Sequence, residues 1–230
     1  MVDTSQGGLH AAVSQESAAR GAWPGWAPLS GIAFLVLFVA TAFMSGTPDA
    51  NASDSAWTAW FADAAHRDVL TATAFTGLAA ALALMSFIVN IWIRVAAVGP
   101  ARVTNPLPVA AAAVAAAAIA CGALLQAAIP GAMIFNSMPE PSPGIMRVLE
   151  NVSSPLVFIG GMVALALAVA SLSLQARAAG AFGRRLTIFS LVVAVLTLFS
   201  FEFFPLLAPL AWVVTVIVIL IRRPALVRTA

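Results

Sequence analysis

The sequence predicts an all-α fold: a polytopic membrane helix bundle with six transmembrane helices and a short interfacial helix in the first outer loop. Three observations lead there. Four uncharged apolar runs cover Leu29–Ser45, Val69–Ile93, Leu107–Ile129 and Val152–Leu174, and a fifth, Leu186–Ile221, is interrupted only by Glu202. A bilayer core about 30 Å thick takes roughly 20 apolar residues per helix. Of the 230 residues, 62% are hydrophobic and 9% charged, too few charges to cover a water-soluble surface. Finally, the arginines sort by side. With the N-terminus in the cytoplasm, Arg20, Arg94, Arg102, Arg177, Arg184, Arg185, Arg222, Arg223 and Arg228 fall inside and only Arg67 and Arg147 outside. Short loops biased in this way fix orientation. Asp49, Asp54, Asp63, Asp68, Glu140, Glu150 and Glu202 fall outside, with Asp3 and Glu16 inside.

Residues 1–27 read as a polar cytoplasmic tail and interface, 28–223 as the transmembrane domain and 224–230 as a second cytoplasmic tail. The first helix, 29–45, is followed by the cleavage-like Ala50-Asn51-Ala52. Its apolar stretch exceeds the usual signal-peptide core and follows a long polar lead, which favours a retained helix.

In the first outer loop, Ser53-Asp54-Ser55 can cap a helix. Trp57, Trp60, Phe61 and Ala64 then share one helical face, and Asp63 can pair with Arg67 four residues on. The expected element lies along the membrane surface as an anchor, with a lid over an outward cavity as the alternative.

The second helix, 68–95, holds Asn90 in its inner half, and the third, 106–129, is almost all alanine from Ala110 to Ala120 with Gln126 toward its outer end. Pro130-Gly131 signals a turn. Pro139, Pro141 and Pro143 follow, and Gly144–Asn151 reads as a short helix with Ile145, Met146 and Leu149 facing the membrane or the first loop. In the fourth helix, 151–175, Gly160, Ala164 and Ala168 recur every four residues. Small residues let helices approach closely in lipid, so the third and fourth helices are expected at the packed centre. Cys121, within the alanine run, is expected to be a buried, inert thiol.

The last run is 36 residues long, about 54 Å as a helix and nearly two bilayer cores. Phe201-Glu202-Phe203-Phe204-Pro205 marks its middle. Pro205 suits the first turn of a new helix, so the run reads as a hairpin of helices 185–204 and 205–221.

Several chemistries are excluded or disfavoured. All eleven cations are arginine, so no Schiff-base lysine exists. One cysteine makes neither an intrachain disulfide nor an iron–sulfur site. His10 and His66 do not form the buried bis-histidine ligation of a membrane cytochrome. Met133, Met138 and Met146 suggest soft copper ligation. No Cys or His joins them in that loop, which favours flexible packing. No metal and no cofactor is expected. Net charge is only +2 and the arginines are scattered at helix ends, so nucleic acid is not an expected partner. Membrane lipid is, together with a protein partner or a second copy within the membrane.

Ionisable and polar groups at membrane depth are the site candidates. Glu202 stands first, as a proton or cation site, or as a structural partner for the backbone freed at Pro205. Gln126 and Asn90 suit interhelical hydrogen bonds or a polar path past Glu202. Glu150 opens the fourth helix, where it complements the helix dipole. Glu150, Glu202, Asp68 and Gln126 could meet near the outer surface.

Trp-Ala-Pro-Leu-Ser-Gly at 26–31, Trp60-Phe61-Ala62-Asp63, and a last helix running from near Trp212 to Arg222-Arg223-Pro224 form a recurrent layout. It resembles a loose group of six-helix bacterial membrane proteins of unknown function, frequent in actinobacteria. The resemblance implies a fold and supplies no activity. The leading expectation is a non-catalytic accessory subunit or a binder of lipid or another apolar ligand. The alternatives are a small transporter or channel, and an intramembrane enzyme acting on a lipid or isoprenoid with Glu202 and Glu150 as acid and base.

Overall fold

The computed structural model describes residues 27–44, 46–98, 105–199 and 207–222. Glu202, the turn at Pro205, residues 1–26 and residues 223–230 lie outside them. All regular secondary structure among the described residues is helical, without strands. In chain order the elements are α1 (Ala27–Met44), α2 (Asp54–Ala62), α3 (Ala64–Val98), α4 (Leu107–Asn136) and α5 (Pro143–Pro155). A π-helical segment, Leu156–Gly161, joins α5 to α6 (Met162–Ala178), and α7 (Arg184–Thr197) and α8 (Leu207–Arg222) follow. Three continuous helices, Ala64–Val98, Leu107–Asn136 and Pro143–Ala178, are long and apolar enough to cross a membrane. This is a membrane helix bundle. The last apolar run is divided between α7 and α8, which pack on each other through Trp212 Nε1 donating to Ser190 Oγ at 2.9 Å.

The two ends of the bundle carry different charges. The α1–α3 and α4–α5 connections form one end, called here the cap end. It holds all six described carboxylates together with Arg67 and Arg147. Arg94, Arg177, Arg184, Arg185 and Arg222 lie at the opposite, arginine end.

The main core is one continuous cluster. Phe34 and Phe38 from α1, Leu84, Phe87 and Ile91 from α3, and Ala112, Ala115 and Ile119 from α4 meet Leu165, Val169 and Leu172 from α6 and Trp212 and Val216 from α8. Alanine-rich α4 is central, and it packs about equally on α3 and on the continuous helix Pro143–Ala178. Backbone proximity explains this. A Cβ on Gly77 of α3 would overlap Ala123 of α4, and one on Gly122 would overlap Val157 of the π segment. Adjacent α4 positions thus receive helices on both flanks, as small residues permit in lipid.

Several local expectations are corrected. Pro130 lies inside α4, which runs on to Asn136. Its missing N–H leaves the Gln126 carbonyl without its usual helical donor, while the neighbouring turns hold the helix together. The stop comes later, where Ser137 takes a left-handed backbone (φ 53°) ahead of Pro139. Gly160 is exposed and Gly161 packs instead, 3.4 Å from Ala118 at its added-Cβ position. Pro155 and the widened turns after it rotate the face by about one residue. Cys121 is exposed rather than buried, because Gly122 and Ala123 occupy the packing face of α4. The α6 end has a clear cause: Gly180 (φ 76°) lets Gly180 N donate to Arg177 O at 3.1 Å and Ala181 N to Ala176 O at 2.8 Å.

Candidate functional site at the cap end

The first connection folds as a cap on the bundle. Ser53 starts α2 by accepting from Ala56 N at 3.2 Å. The helix stops at Asp63, whose extended backbone begins a second start: Asp63 Oδ1 accepts from Ala65 N at 2.8 Å and opens α3. Ala64 therefore belongs to α3 and is exposed, not part of the aromatic face.

Trp57 and Phe61 are buried with Leu70, Ile129 and Met146, and Trp60 and Leu149 pack alongside. The surface-anchor expectation is corrected for these two side chains. The short helix α5 offers protein to cover them, so their apolar area is removed by packing rather than by lipid. The indole of Trp57 donates to Asp49 O at 3.3 Å.

Arg147 of α5 latches the cap. It pairs with Asp54 Oδ1 at 2.6 Å, donates to Ala52 O, and stands 6.0 Å from the Trp57 ring centre. Arg67 does not need Asp63, because its Nη1 donates to Phe61 O at 2.6 Å and Ala62 O at 2.9 Å, closing the C-terminus of α2. His66 stacks on Trp60 with centroids 4.7 Å apart and lies 3.8 Å from Asp63.

Beside this cap, two of the four predicted site residues meet. Gln126 Nε2 donates to Glu150 Oε1 at 3.1 Å, joining α4 to α5. Ser154 Oγ lies 3.5 Å from the same oxygen, and the Thr47 hydroxyl adds a further hydrogen bond. All four residues are half-buried. Neutral dipoles hold this carboxylate, and no described cation pairs with it. Such a group can exchange a proton or receive a cationic headgroup.

Neither Ser154 nor Thr47 is among the site residues expected from the sequence; Ser154 is signalled by its place four residues after Glu150, whereas Thr47, about a hundred residues away, has no local signal. Asn90 is not part of the cluster, since its amide donates to Ser86 O within α3. It lies about 12 Å above the arginine end of its helix and Gln126 about 28 Å above that of α4. Glu202 lies outside the described residues. Asp68, at the start of α3, is exposed.

A second feature lies deeper, where α4 passes the π segment. Ala111, Gly160 and Ala164 floor a groove of about 380 Å³, rimmed by Val114, Ile159 and Leu167. Its walls are apolar, and the rim side chains are each about half exposed. The chain matches no known protein family, no curated protein and no solved structure.

Proposed function

We propose that the chain is a lipid-binding component of a bacterial cytoplasmic membrane, without chemistry of its own, acting alone or as an accessory subunit. In this reading α1, α3, α4, α5–α6, α7 and α8 make six crossings, and the arginine end and both termini face the cytoplasm. The charge asymmetry between the two ends supports that orientation.

The groove at the π segment carries the functional reading. Three small residues make its floor while branched side chains stand proud on both sides. It runs between α4 and the helix that continues from the π segment, at the depth of hydrocarbon. That shape fits one acyl or isoprenoid chain. The π turn supplies it by bringing Gly160 outward where a regular helix would turn it inward.

The test is photo-crosslinking in native-like nanodiscs with a phospholipid carrying a diazirine on its acyl chain. Labelling is expected to concentrate on the peptide spanning Ile159–Leu167, and Gly160→Trp is expected to abolish it without altering elution of the protein. Labelling spread evenly over other exposed faces, such as Phe75 and Leu82, would refute the reading.

A transporter using Glu150 and Gln126 is the second reading, favoured by their direct contact. It predicts liposome flux that Glu150→Gln changes. Its weakness is the height difference of about 16 Å between Gln126 and Asn90.

A further inference from the structure

At the arginine end, α7 and α8 border an open-sided cavity of about 670 Å³. Arg184 and Arg185 from the first turn of α7 and Arg222 from the last turn of α8 line it, with Leu186, Val218 and Ile219 supplying apolar wall. Cations thus come to one space from two helices, above a hydrocarbon-compatible floor. Among the described residues none of the three pairs with a carboxylate, and every described acid sits at the far end of the bundle. The start of α7 adds to the field. Gly183 occupies the capping position and offers no side-chain acceptor, so the first-turn amides of Arg184, Arg185 and Leu186 lack a side-chain cap.

We propose that this cavity binds an anionic glycerophospholipid, its headgroup phosphate held by Arg184, Arg185 and Arg222 and its acyl chains lying on Leu186, Val218 and Ile219. Charge complementarity chooses the occupant. Guanidinium forks match phosphate oxygens, and the apolar wall has no use for a small anion. The proposal concerns a different part of the molecule from the groove, between α7 and α8, and does not depend on it.

The experiment is native mass spectrometry of the full chain, released from nanodiscs holding phosphatidylglycerol and phosphatidylcholine in equal amounts. Wild type is expected to retain phosphatidylglycerol preferentially. The variant R184Q/R185Q/R222Q is expected to lose about a hundredfold of that preference, and Arg185→Gln alone about fivefold. Val218→Trp keeps every charge but fills the apolar part, and it too is expected to reduce retention. Arg177→Gln removes a charge at the same end outside the cavity and is expected to leave retention unchanged.

Equal retention of the two lipids by wild type would overturn the proposal. So would an equal loss in Arg177→Gln and Arg185→Gln, which would assign the preference to leaflet charge in general. Complete displacement of the lipid by excess inorganic phosphate would assign the arginines to a free anion instead. If the triple variant fails to fold, Arg185→Gln and Val218→Trp decide alone.

Discussion

Truncating Trp57 to alanine tests whether the first connection is a protein-packed cap or a membrane anchor. Trp57 is completely buried. A buried tryptophan hides about 200 Å² of surface, which at about 25 cal/mol per Å² corresponds to roughly 5 kcal/mol as an upper bound. Trp→Ala substitutions in cores cost about 3–5 kcal/mol, in agreement. The indole bond to Asp49 O and the Arg147 contact disappear as well. The cost falls on a local unit, because Trp57 belongs to the small cap cluster and not to the main core. The bundle is therefore expected to stay folded while α2 opens. Hydrogen exchange in nanodiscs is expected to show protection in α2 falling by more than about a hundredfold, up to the unprotected limit, with α3 and α4 below the cap unchanged. Trp57→Phe keeps most of the packing and is expected to cost about 1 kcal/mol for the lost hydrogen bond. Unchanged protection of α2 in Trp57→Ala would refute the reasoning, since an anchor held by lipid would not depend on this side chain for its contact with α5.

Four further outcomes are expected. Trp212→Phe and Ser190→Ala should be coupled by about 0.6–1.7 kcal/mol in a double-mutant cycle of thermal stability in detergent, because they remove the two sides of one hydrogen bond within the bundle. Gly122→Val should disrupt the α4–π contact and lower the midpoint by several degrees, whereas Gly144→Ala, with no neighbour closer than 4.0 Å, should be near neutral. Asp54→Asn breaks a pair whose acid is largely exposed and should cost no more than about 1 kcal/mol, with the difference shrinking at high salt. Ser173→Ala should raise stability slightly in the same assay, since the Ser173 hydroxyl is buried without a partner among the described residues.

What the sequence made legible followed from periodicity and composition. Apolar length alone announces the long helices, and Ser53 announces the start of α2, because both signals are local. Gln126 and Glu150 were recognisable as polar groups in apolar surroundings. Their contact depends on how α4 and α5 cross, which no local pattern encodes. Three misreadings share one cause. Pro130 reads as a turn, Gly160 as a packing residue and Cys121 as buried when each is judged by its own neighbourhood. In the bundle, the crossings at Gly77 and Gly122 decide which face of α4 is inward, and the π segment after Pro155 shifts which face of the next helix meets it. Trp57 and Phe61 were correctly placed on one face, but only the position of Met146 and Ile129 shows that protein covers it.

The central claim is that hydrocarbon surrounds these helices, and the single native thiol reports on it directly. Cys121 is exposed on α4, about 21 Å along the helix from Leu107, so protein does not shield it. In intact membranes a charged maleimide is expected to leave Cys121 unreacted and to label it fully after denaturation, while a cysteine placed at exposed Thr58 in the cap reacts at once. Rapid labelling of Cys121 by the charged reagent in the intact membrane would contradict the account.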